Sequence, residues 1–102
     1  MRFFITIYFF LLINSLLADN LIRGGGLNYC GYLIKTVSQH SQYSGMWKQW
    51  ITGFISGYNF SSKNQYLISL EDDEIFYAVK KRCEERPKDK VSEATLWIIS
   101  NN

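Results

Sequence analysis

The hydrophobic pattern of this chain divides into one continuous apolar run and four later segments with helical period. The run comes first. Arg2 precedes a largely apolar stretch from Phe3 to Ile13, and a softer tail containing Asn14 and Ser15 leads to Ala18. A positive charge, an apolar stretch and a small residue are the layout of a secretory signal peptide, with cleavage expected after Ala18 and an uncleaved N-terminal anchor as the alternative. A membrane-spanning helix would need about 20 predominantly apolar residues with interfacial flanks, which this run does not supply. Residues 19–27 contain Gly24-Gly25-Gly26 and no periodicity, and they read as a flexible leader.

The periodic part starts at Asn28. Cys30, Leu33, Ile34 and Val37 fall on one helical stripe, so a first helix is predicted from Asn28 to Gln39 with Asn28 as its cap. The strongest signal lies between Ser44 and Tyr58, where Trp47, Trp50, Ile51, Phe54, Ile55 and Tyr58 recur every three or four residues. Gly53 and Gly57 interrupt that segment. Each costs about 1 kcal/mol against alanine in a helix interior, and close approach of another backbone would explain the pair. Asn59 to Gln65 is polar and turn-like, with Asn59 as the expected C-cap, although Asn59-Phe60-Ser61 also matches the N-glycosylation triplet.

A third helix is predicted from Glu71 to Glu84, with Ser69 as N-cap and Asp72 at the capping-box spacing. Its acidic start and its basic end, Lys80 to Arg82, complement the helix dipole. Ile75, Phe76, Val79 and Cys83 make its inner stripe. Pro87 stops it. Asp89 is placed to cap a last helix whose inner face holds Val91, Ala94, Thr95 and Ile98, with Leu96 and Trp97 at the edges. Tyr66-Leu67-Ile68 has strand-like composition and nothing to pair with. The expected fold is all-α: a small bundle of about four short helices over residues 28–100, following residues 1–18 and the leader at 19–27.

Export changes the meaning of the two cysteines. In an oxidising compartment Cys30 and Cys83 are expected to form a disulfide, the only intramolecular pairing two cysteines allow. It would tie the start of the first helix to the end of the third. A metal site is the rival use, but His40 is the single histidine, it falls in the Ser38–Gly45 connection, and no CxxC is present.

Charge narrows the partners. After removal of residues 1–18 the chain keeps ten basic and nine acidic residues, a net charge near +1. Nucleic-acid binders concentrate basic charge on one face, and adhesion to anionic membranes needs the same excess, so neither partner is expected. Nor is stable membrane insertion after cleavage. The chain also lacks the parts of an enzyme: GGG has neither a Walker lysine nor GxGxxG spacing, and Glu71 to Glu74 without a cleft do not specify hydrolysis. No catalytic residue, cofactor or metal is assigned. What remains in excess is aromatic surface, twelve rings in residues 19–102. A domain this small cannot bury them all. Ordinary core and rim packing is one reading of these rings; the other makes Trp47, Trp50, Tyr58 and Trp97 candidate anchors for a protein partner, because Trp and Tyr are preferred at interfaces.

Three strings support a resemblance: Tyr29-Cys30; Trp50-Ile-Thr-Gly53-Phe-Ile-Ser56-Gly57-Tyr-Asn59; and Cys83-Glu-Glu-Arg-Pro87-Lys-Asp89-Lys-Val91 with Ala94. In their order they resemble the HdeA-like group of small periplasmic helical proteins, as an uncharacterised branch rather than the acid chaperones themselves. Arg82 and Arg86 depart from the aromatic and the asparagine expected before Cys83 and Pro87. The resemblance implies a non-enzymatic, chaperone-like stress-response role in the periplasm, with unfolded clients in acid and a homodimer at neutral pH. Immunity proteins that inhibit a secreted amidase toxin share a similar plan and give the alternative role. A secreted host-interaction factor is a third.

Overall fold

The computed structural model describes residues 24–101; the signal peptide and cleavage site expected at residues 1–18, and residues 19–23 of the leader, lie outside the described residues. Among the described residues there are four α-helices: α1 (Cys30–Gln39), α2 (Tyr43–Ser62), α3 (Asp72–Glu85) and α4 (Val91–Ser100). The all-α expectation holds, and among the described residues there is no strand, only an isolated antiparallel bridge between Tyr29 and Lys90. No described helix is long and apolar enough to cross a membrane.

The predicted stripes meet in one core. Cys30 and Leu33 from α1, Trp47, Ile51 and Ile55 from α2, Ile75, Phe76, Val79 and Cys83 from α3, and Val91 and Ala94 from α4 are buried together. The last helix is rotated slightly from the expected face: Ile99 is buried, whereas Ile98 only packs against the cluster from its edge. Thr95 is buried beside them and satisfies its hydroxyl by donating to the Val91 carbonyl at 2.8 Å.

Cys30 and Cys83 form the expected disulfide, with Cα atoms 4.7 Å apart. Around it the backbone builds a clasp. The first amides of α1 have no intrahelical acceptor, and here the α3–α4 connection supplies them: Cys30 N–H donates to the Asp89 carbonyl at 2.7 Å and Gly31 N–H to that of Pro87 at 2.9 Å. In return, Val91 N–H at the start of α4 donates to the Asn28 carbonyl at 2.9 Å. Two helix N-termini are thereby satisfied by each other's leading segments. That exchange keeps Tyr29 extended, so α1 begins at Cys30 with Tyr29 at its N-cap, and Asn28 does not cap it.

The other caps also shift. Glu71 rather than Ser69 occupies the N-cap of α3, and Glu74 closes the box by accepting from Glu71 N–H at 3.3 Å. Lys90 rather than Asp89 is the N-cap of α4, with Glu93 accepting its N–H at 3.2 Å. Asp89 is occupied elsewhere: its carbonyl serves Cys30, and its carboxylate faces Arg86 at 3.7 Å.

The largest difference is at the end of α2. The helix continues through Asn59 to Ser62, and Lys63 stops it in the left-handed region at φ 58°. Asn64 N–H then returns to the Asn59 carbonyl at 3.1 Å, the 6→1 bond of a Schellman motif. Asn59 is therefore not the C-cap. Its side chain grips the following loop at both ends of one residue, accepting from Tyr66 N–H at 2.9 Å and donating to the Tyr66 carbonyl at 3.0 Å. The loop itself is a chain of turns that delivers Leu67 to the core, so Tyr66–Ile68 does not form a strand.

Candidate functional site: an aromatic groove

The glycine run is where expectation and structure part most usefully. Gly24–Leu27 form a short 3-10 turn laid against α2, so this part of the leader is ordered. A Cβ on Gly26 would sit 2.0 Å from Trp50 Cζ2, and one on Gly25 would sit 2.8 Å from Trp47 Cζ3. Glycine is required here because the backbone passes directly over two indoles. Gly53 and Gly57, expected to admit another backbone, have among the described residues no packing neighbour beyond their own helix backbone within 4 Å of an added Cβ. The close approach is real, but it happens at the other glycines.

The glycine turn forms one margin of a groove of about 380 Å³. Asn28, Tyr32 and Thr36 line it from the α1 side, and Tyr43, Met46, Trp47 and Trp50 line it from α2. No charged residue is among them. Tyr32 and Met46 stand out at the rim, 52% and 65% exposed, whereas Trp47 is only 6% exposed and forms the floor. The floor is held in place. Trp47 Nε1 donates to Thr36 Oγ1 at 2.9 Å, and the Thr36 hydroxyl in turn donates to the Leu33 carbonyl at 3.1 Å. Tyr32 meets the Trp47 ring edge-on at 6.2 Å, and Trp50 stacks on Phe54 at 5.1 Å. On the α3 side of α2, Lys48 pairs with Asp73.

The four candidate anchors separate into two places. Trp47 and Trp50 belong to the groove, Trp47 as a packed floor rather than a projecting anchor. Tyr58 and Trp97 line a second cavity with Tyr66, further along α2. Trp97 is already in use there: the Arg82 guanidinium lies 4.1 Å over its ring and 3.8 Å from the Glu85 carboxylate. Arg82 Nε is buried with no hydrogen-bond partner among the described residues, leaving the ring as its main company.

Sequence reasoning missed Met46, Asn28, Thr36 and Gly25 as groove residues, and it did not foresee Arg82 stacking on Trp97. A usable signal was present in the three glycines, which permit a bulky side chain to lie across a backbone as readily as they permit flexibility. Among the described residues no three His, Cys, Asp or Glu side chains converge as metal ligands, and His40 is exposed beside Tyr43 at 5.8 Å. No protein-family model, curated protein or solved structure matches the chain.

Proposed function

We propose that this is an exported, non-enzymatic binding protein that takes an apolar stretch of another polypeptide into the Tyr32–Trp50 groove. The groove supports this reading: it has aromatic walls, an uncharged lining, and a rim of exposed Tyr32 and Met46. Tyrosine and tryptophan supply large contact area at low entropic cost, and methionine adapts to irregular partners. The buried disulfide and its backbone clasp suit a protein that works in an oxidising compartment, the periplasm or outside the cell.

Chaperone-like holding of unfolded clients, as the HdeA-like resemblance implies, is the leading form of the role. All acidic side chains of the described residues except half-buried Asp89 are exposed, so acid would neutralise them from outside. Protonating the nine carboxylates and His40 would take residues 19–102 from about +1 to +11. Such self-repulsion would loosen a small core and widen the groove. The oxidised protein should suppress aggregation of an unfolding client in strong acid and not at neutral pH. Equal behaviour at the two pH values removes the acid-chaperone role while leaving the groove a binding site. A preformed groove also suits one dedicated partner, the immunity or inhibitor reading. Nanomolar 1:1 binding to the product of an adjacent toxin gene, abolished by Met46→Glu, would favour that form.

A further inference from the structure

The second cavity, of about 450 Å³, has a chemistry different from that of the groove. Tyr58 from α2, Tyr66 from the loop, and Glu93, Leu96, Trp97 and Ile99 from α4 line it. The two tyrosine rings stand 5.9 Å apart at 51° to one another, an open angle rather than a closed stack. Tyr66 is set in position by two hydrogen bonds between its backbone and the Asn59 side chain, which donates to its carbonyl and accepts from its N–H. Among the described residues, Glu93 is the only charged one on the wall. Its Oε1 accepts the Lys90 amide, which fixes the carboxylate at the first turn of α4.

We propose that this cavity binds a quaternary ammonium cation, the trimethylammonium group of choline and related compounds. Aromatic faces attract cations through the negative potential of the ring, and several rings around one anion is the arrangement such ligands select. Trp97 already acts as a cation platform, since Arg82 stacks on it without lining the cavity, and Glu85 beside Arg82 balances that charge. A methylated ammonium fits better than a lysine head. Lysine brings three N–H donors that need acceptors. The wall offers few: one oxygen of Glu93 is engaged by the Lys90 amide, and the Ser100 hydroxyl oxygen already accepts from Asn101 Nδ2 at 3.2 Å. Leu96 and Ile99 instead present hydrocarbon, which suits methyl groups. This site shares no residue with the groove, so it stands or falls independently of the function proposed above.

The test is an NMR titration of the purified, oxidised protein with choline and with 3,3-dimethylbutan-1-ol, its neutral isostere. Choline should bind with millimolar affinity, shift the Trp97 indole resonance, and outcompete the isostere by about fivefold or more. Glu93→Gln keeps an acceptor for Lys90 and so preserves the helix cap; it should weaken choline about fivefold and leave the isostere unchanged. Tyr66→Leu, which spares the backbone grip, should weaken choline similarly. Association with phosphatidylcholine vesicles, and not with phosphatidylglycerol vesicles, would assign the cation to a lipid headgroup. Binding of choline without vesicle association would assign it to a soluble compound; both support the site. Equal binding of the two alcohols, unchanged affinity in Glu93→Gln, or no shift at saturating millimolar choline would overturn it.

Discussion

Alanine placed at Gly26 and at Gly53 should change stability in opposite directions, and the structure gives both sizes. At Gly26 the new methyl would lie 2.0 Å from Trp50 Cζ2 and 2.1 Å from Cη2. Carbon atoms rest at about 3.5–4.0 Å, so the indole must retreat by roughly 1.5–2 Å. It cannot do so freely, because it is stacked on Phe54 at 5.1 Å and hemmed by Gly24 and Gly25. Overpacking of this kind costs about 1–3 kcal/mol. For a domain of this size that lowers the melting temperature by roughly 4–8 °C per kcal/mol. At Gly53 and Gly57 in the middle of α2 the same methyl meets no packing neighbour among the described residues, so only backbone entropy and helix propensity change. Each substitution there should stabilise by about 0.5–1 kcal/mol. Thermal melts of the three single variants, followed by circular dichroism with the disulfide intact, measure the contrast. A neutral Gly26→Ala together with a destabilising Gly53→Ala would refute the placement of the glycine turn on α2.

Further outcomes follow from other particulars of the fold. Replacing Cys30 and Cys83 together with serine, or reducing them, should cost about 4 kcal/mol by the loop-closure argument for a separation of 53 residues. Urea titrations with and without reductant would show this, and an unchanged midpoint would contradict it. Lys63→Gly should stabilise by about 1 kcal/mol, because a Cβ in the left-handed region at φ 58° is strained; a thermal melt checks it. Asn59→Ala leaves both polar groups of Tyr66 without their side-chain partner and should destabilise by about 1–2 kcal/mol, with faster amide exchange across residues 64–68.

The helices were legible in the sequence because their apolar residues carry the period directly. Trp47, Ile51 and Ile55, or Ile75, Phe76 and Val79, point inward wherever the helix is set down. Helix ends were less legible, since Asn28, Asn59, Ser69 and Asp89 all have capping chemistry and none of them caps a helix by its side chain. Three-dimensional partners outbid the local role: Asn28 and Asp89 lend their carbonyls across the clasp, and Asn59 holds Tyr66 from seven residues away. The groove was half legible. Trp47 and Trp50 were named, but their meeting with Gly25 and Gly26 joins positions more than 20 residues apart, and no local pattern encodes that.

Formation of the Cys30–Cys83 cross-link on export is the central proposal, and peptide mapping of the protein taken from its native cell tests it most directly. Non-reducing digestion should yield one species joining the Cys30 and Cys83 peptides, from a chain whose first residue is Asp19. Free thiols at both positions, on a chain still carrying residues 1–18, would contradict it.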